Sequence, residues 1–237
     1  MMKHLLRICL AALLSLAAQE LLAAPPTRIE ASFDVSAYGF KMIEVHEVFT
    51  RTQDHYQIDS TSRAVGILAR FKAEVIHTRS SGLVTPQGLR PLSYSSTREL
   101  DTQRNTSASL NWDKATIVHK DYQGERSAAL PDGTQDRLSA MYQFQFMTLQ
   151  DHGEVKFIIT NGRDLDHYNY RITPEQTVHV PLGTYKTRYL AIPPQEDGST
   201  FEIWLATELN NFPCKIVITD ADGNKATQVL TQLNIVP

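Results

Sequence analysis

From residue 27 onward the chain alternates apolar and polar positions. In Thr27–Tyr38, Ile29, Ala31, Phe33, Val35 and Ala37 take every second place, a period that lays one face on a core and leaves the other in water. Met42–Phe49, Tyr56–Ser62, Glu74–Ser80, Pro91–Arg98, Ser107–Trp112 and Thr116–Lys120 repeat the pattern. So do Val155–Thr160, His167–Ile172, Val178–Val180, Tyr185–Ile192, Phe201–Ala206, Lys215–Asp220 and Ala226–Leu233. Turn residues punctuate them: Gly39, Asp113–Lys114, Asn161–Gly162, Leu182–Gly183 and Asp222–Gly223, the last a strong hairpin signal. Sequential strands joined by short turns usually pair, so the pattern predicts an antiparallel meander. A β/α nucleotide fold would alternate strands with long helices, which this chain does not do.

One stretch has helical spacing instead. Arg137–Gln150 reads RLSAMYQFQFMTLQ, with Leu138, Met141, Tyr142 and Leu149 on one face and Phe144, Phe146 and Met147 widening it. Asp136 is placed to cap it, and Gly153 to follow its end. So broad an apolar surface requires cover, and the concave face of a sheet supplies it. A shorter apolar stretch, Ala64–Phe71, reads as a short helix or loop across the sheet mouth. The predicted fold is therefore mainly β: a strongly curved antiparallel meander sheet, a half-barrel or open barrel, with one main helix packed in the concavity.

The first two dozen residues stand apart. Lys3 and Arg7 precede an apolar run, Ile8–Ala18, and the small residues Ala23 and Ala24 come before Pro25. This is the pattern of a secretory signal peptide, too short and too soon interrupted for a membrane span. Residues 1–24 are read as that signal, and 25–237 as a single β-rich domain, periplasmic in a Gram-negative cell and not an integral membrane protein. Cleavage leaves only Cys214, so no internal disulfide forms and the fold rests on its core. Cys214 reads as a small buried core residue, because no activating base is in evidence near it.

Charge narrows the partners. The chain has 23 basic and 26 acidic side chains, against the basic excess that nucleic acid requires. Searching for chemistry returns little. The eleven glycines are scattered, with no phosphate loop. There is no Gly-x-Ser-x-Gly elbow. His46–Glu47 starts like a zinc helix, but Thr50 stands where the second histidine belongs. Asp164, Asp166 and His167 carry ligand chemistry, yet as neighbours on a strand beside a turn they read as solvated. No catalytic residue, metal ligand or cofactor is assigned. Pro131–Asp132–Gly133 reads as a turn, followed by Asp136–Arg137 at the helix start, where Asp136 favours the helix dipole. Arg137 reads either as the partner of a sheet carboxylate or as an anchor for a ligand headgroup. On Phe201–Ala206, Phe201, Ile203 and Leu205 share one face, Glu202 and Trp204 the other.

Four segments in order, AVGILARF, PDGTQDRLSAMYQF, VPLGTYKTRYL and FEIWLATELNNFPCKIVITDADG, resemble a group of exported bacterial proteins known only as a domain of unknown function. Asp136, Gly183, Pro213 and Gly223 fall in these segments and are expected to be structural. The resemblance implies an envelope location and no reaction. The architecture also looks like the curved half-barrels of periplasmic lipoprotein carriers, which hold acyl chains in their concavity; a fold alone does not carry a function across. The function expected is non-enzymatic binding of an apolar or amphipathic, lipid-like ligand in cell-envelope maintenance. Phe71, Tyr142, Phe146 and Trp204 are expected to line the pocket, with Arg137 as headgroup anchor. The alternative is a structural or assembly factor that contacts another envelope protein through a strand edge or apolar patch.

Overall fold

The computed structural model describes residues 26–195 and 197–236; the expected signal segment, 1–24, lies outside the described residues. The alternating stretches form the strands β1 (Arg28–Ala37), β2 (Phe40–Thr52), β3 (His55–Ala64), β4 (Val75–Thr85), β5 (Gly88–Arg98), β6 (Thr106–Asn111), β7 (Thr116–Asp121) and β8 (Gly124–Ala129). After β9 (Gln135–Asp136) come β10 (Gly153–Thr160), β11 (Leu165–Val180), β12 (Gly183–Ala191), β13 (Thr200–Ala206), β14 (Phe212–Thr219) and β15 (Lys225–Val236). Among the described residues two short α-helices are α1 (Gly66–Phe71) and α2 (Ser139–Gln143).

All the strands belong to one sheet, in the order β8-β7-β6-β5-β4-β3-β2-β1-β15-β14-β13-β12-β11-β10-β9. It is the predicted meander, with β1 and β15 joining its two halves; β9 alone pairs in parallel, with β10. The sheet is curved and not closed into a barrel. Side chains span the gap instead: His119 Nε2 on β7 lies 3.0 Å from Thr160 Oγ1 on β10, and Thr106 Oγ1 donates to the Asn161 carbonyl at 3.0 Å.

Residues directly opposite on paired antiparallel strands share a face. The register therefore runs one inward row through Phe49, Ile58, Ser80, Tyr94, Ala108 and His119. The row is apolar at β2–β3 and turns polar at β4–β7. The polar end is where the chain Thr134–Ser139 enters the concavity, and Ser80 Oγ donates to the fully buried Asp136 carboxylate at 2.6 Å.

The helix differs from expectation. Instead of spanning Arg137–Gln150, α2 covers five residues and continues as a 3-10 turn, Phe144–Phe146. Tertiary contacts override helical propensity here. Gln143, the last residue of α2, clamps the β4–β5 hairpin, accepting from Leu89 N at 2.7 Å and donating to Gln87 O at 2.8 Å. Asp136 does act at the helix start, accepting from the N–H groups of Leu138 and Ser139 at 2.9 Å each. The broad face fills the middle of the concavity. Tyr142 stacks on Phe49 at 5.4 Å and meets Phe212 edge-on at 5.7 Å, while Phe144 meets Phe157 at 5.3 Å.

Two strands escaped the pattern, β8 because all its residues are exposed and β9 because it has two. The separate expectations His167–Ile172 and Val178–Val180 are one strand, β11, bent by a register shift between Thr173 and Gln176. Cys214 is fully buried, its Sγ 3.4 Å from the Trp204 carbonyl, and burial pushes its thiol up to about 11; it remains a protonated core residue. Pro213 sits where β13 and β14 shift register, a place where a missing N–H is tolerated. Gly183 opens β12, and Gly223 turns the β14–β15 connection at φ +81° with its N–H on Asp220 O.

Gly82 sits at the β4–β5 bulge, where the strands approach too closely for a side chain. A Cβ there would run into the Arg90 carbonyl oxygen and come within 2.7 Å of Pro91 Cα and 2.9 Å of Tyr56 Cε1. Gly82→Ala is expected to lower stability by about 1–3 kcal/mol in urea unfolding; an unchanged midpoint would show that the bulge yields freely.

Candidate functional site

Alternation along β5 turns Tyr94, Ser96 and Arg98 inward, and pairing places Arg98 opposite Ile76, itself opposite Ser62. Asn105 Oδ1 accepts from Arg98 N at 2.7 Å and pins the 3-10 turn Thr102–Arg104 beside it. Arg137 follows Asp136, whose side chain is held by the three hydrogen bonds above. Arg163 stands in the β10–β11 turn, where Asn161 Oδ1 accepts from its N–H at 2.8 Å. Four arginines from four separate segments thus line one pocket of about 210 Å³, with Tyr94 and Ser96 at its wall and no carboxylate among its lining residues. Among the described residues Arg98, Arg104 and Arg137 form no ion pair; Arg163 Nε lies 3.1 Å from Asp121 Oδ2.

A second pocket of about 210 Å³ adjoins it and shares Arg98 and Arg104. Its wall is mainly apolar: Ile43 on β2, Ala64 on β3, Ile76 on β4 and Leu68 reaching over from α1. Lys72 and Glu74 stand at its edge and are committed to each other at 3.3 Å. Leu100 N–H donates to Glu74 Oε1 at 2.9 Å, and this bond holds that carboxyl below the usual range.

A larger hollow of about 590 Å³ lies across β1, β2, β3 and β15. Lys41 bridges Asp34 at 2.8 Å and Glu44 at 2.7 Å there, and Arg63 stands at the same hollow.

Deeper in the concavity lie two carboxyls, Glu47 half-buried and Asp136 fully buried. Glu47 accepts from Tyr142 Oη and from Ser60 Oγ, each at 3.2 Å, and desolvation raises its pKa to about 7. Desolvation likewise raises Asp136 to about 6, against the hydrogen bonds from Ser80, Ser139 and Leu138. Hydroxyls stand beside both, Ser60 at Glu47 and Ser80 at Asp136; among the described residues no group of three or more His, Cys, Asp or Glu is arranged to hold a metal.

Of the residues expected at a ligand site, Arg137 lines the arginine pocket. Tyr142 is enclosed in the core and Phe146 packs against that core. Trp204 is buried between Tyr189 at 4.9 Å and Lys215 at 4.5 Å, its Nε1–H donated to Gln176 Oε1. Phe71 is not in the concavity: it is 85% exposed, because α1 lies across the rim and buries none of its residues. Arg98, Arg104 and Arg163 were not singled out from the sequence. The available signal was parity, since Tyr94 and Arg98 sit in phase and an inward arginine at a strand end faces a cavity mouth.

Residues 32–231 match a protein family described as "Protein of unknown function (DUF3108)". The chain belongs to this family. The description assigns it no activity. No curated protein matches the chain. Among solved structures, a "putative lipoprotein" from Parabacteroides distasonis ATCC 8503 is similar over 89% of this chain and 96% of that one, at 9% identity and a TM-score of 0.32. Among the described residues no helix is long and apolar enough to cross a membrane.

Proposed function

We propose that this protein is a non-enzymatic, periplasmic binder of an amphipathic, lipid-like ligand that serves the cell envelope. The observation that carries the reading is the pair of adjoining pockets, one lined by arginines and one mainly apolar, with Arg98 and Arg104 common to both. Each alone, at about 210 Å³, is smaller than the ~300–1,000 Å³ of ordinary ligand pockets. Joined, they reach that range and match a molecule with a charged end and an apolar end. The export reading of residues 1–24 supports the compartment, and the filled middle of the concavity confines the ligand to its open end.

Native mass spectrometry of protein purified from its own periplasm, with solvent extraction, tests this. A stoichiometric amphiphile is expected. A clean apo mass that persists after envelope lipids are added would overturn the reading. Leu68→Ser removes apolar wall from a rim helix without opening the core, so it is expected to weaken ligand binding roughly 10-fold with little change in unfolding midpoint. Unchanged affinity would remove the apolar pocket from the site.

A second reading, assembly through protein contact, is favoured by β8. It is a sheet edge with all six residues exposed, the kind of edge that accepts a partner strand. Crosslinking from Ser127 in cells to one stable partner, with no extracted ligand, would favour it.

A further inference from the structure

We infer that the arginine pocket takes a phosphate-type headgroup, a phosphomonoester dianion at the end of an apolar chain; this rests on the amphiphile reading above and names its headgroup. Three of the four arginines lining the pocket, Arg98, Arg104 and Arg137, have no carboxylate partner within ion-pair distance among the described residues. Three carboxyls of the surrounding elements have hydrogen-bond or ion-pair partners elsewhere. Glu74 is held by Lys72 and Leu100 N and feels Arg98 only through space, Asp121 is held by Arg126 and Arg163, and Asp136 by Ser80, Leu138 and Ser139.

Charge count decides between headgroups. A carboxylate offers two oxygens and one charge, which a single bidentate arginine satisfies. The remaining guanidiniums would be left to solvent. A phosphomonoester carries about −1.5 to −2 charges at neutral pH and three strong acceptor oxygens. That matches three unpaired guanidiniums, whose rigid planar forks suit phosphate geometry better than ammonium groups do. Arg163, anchored by Asp121, adds positive field at the far wall, and the Tyr94 and Ser96 hydroxyls stand at the same pocket. The apolar pocket opens beside Arg98 and Arg104, so a chain attached to the phosphate enters it without leaving the site.

Titration calorimetry with the exported protein tests the inference, using three probes: a single-chain lipid phosphomonoester, a fatty acid of equal chain length, and inorganic phosphate. Arg104 and Arg137 are exposed, so Arg104→Ala/Arg137→Ala leaves the fold intact. The lipid phosphomonoester is expected to bind at least 10-fold tighter than either other probe. Each lost arginine is expected to cost about 10- to 100-fold, with partial recovery in Arg104→Lys/Arg137→Lys and weakening as salt rises. A fatty acid that binds as tightly as the phosphomonoester overturns the phosphate assignment and leaves the amphiphile reading standing. Inorganic phosphate as tight as the lipid keeps the anion site and overturns the amphiphile reading. Binding by none of the three overturns both.

Discussion

Tyr142→Ala is expected to destabilise the protein by about 3–5 kcal/mol, the cost of deleting a large aromatic side chain from a packed core. Tyr142 is 1% exposed, stacked on Phe49 and crossed by Phe212. It joins α2 to both halves of the sheet, since Phe49 lies on β2 and Phe212 on β14. Its hydroxyl also satisfies Glu47, so alanine leaves a cavity and removes a donor from a half-buried carboxyl. Tyr142→Phe separates the two parts, keeping the ring and losing only the hydrogen bond, at about 1–3 kcal/mol. Equilibrium urea unfolding of the three proteins checks this. Equal losses in the two variants would mean that the ring packing contributes little.

Glu47→Gln is expected to flatten the pH dependence of stability. Desolvation raises the folded carboxyl from 4.5 to about 7. Between those values the folded state holds a proton that the unfolded chain has released. Stability therefore falls as pH rises through that window and is level above it, a loss of about 3 kcal/mol from this group. Glutamine keeps the shape and cannot ionise; its Oε1 accepts from one hydroxyl and its Nε2 donates to the other. The variant should gain about 2–3 kcal/mol on the wild type between about pH 4 and about pH 8. Asp136, raised to about 6, acts with the same sign in a lower window and keeps some slope in the variant. On the acid side, carboxyls held below their usual range, Asp121 and Asp220 among them, lose their contribution as pH falls. Parallel stability curves for variant and wild type would show that Glu47 is not ionised by desolvation's terms.

The strand order was legible because burial on one face stamps a period of two on the sequence, and Asp222–Gly223 and Leu182–Gly183 mark where the chain reverses. The helix was legible as apolar but not in length. Gln143 is polar by composition, and only the approach of the β4–β5 hairpin makes it a clamp at the end of the helix. β8 left no trace, since a strand exposed on every residue has no apolar face to alternate. At the site, Arg137 stood out because it interrupts the start of an apolar run. Arg98 shares a strand face with Tyr94, but Arg104 and Arg163 lie in a turn and a loop, where nothing local distinguishes them from surface arginines elsewhere in the chain.

The amino-acid sequence alone determined that this chain folds as an antiparallel meander with one apolar plug, because periodicity and turn chemistry act between near neighbours. Curvature, the burial of Glu47 and Asp136, and the gathering of four arginines at one open end were decided only by the tertiary structure. Each depends on residues tens to a hundred positions apart. The cost of burying a carboxyl or crowding like charges arises only when the sheet curls and brings its walls together.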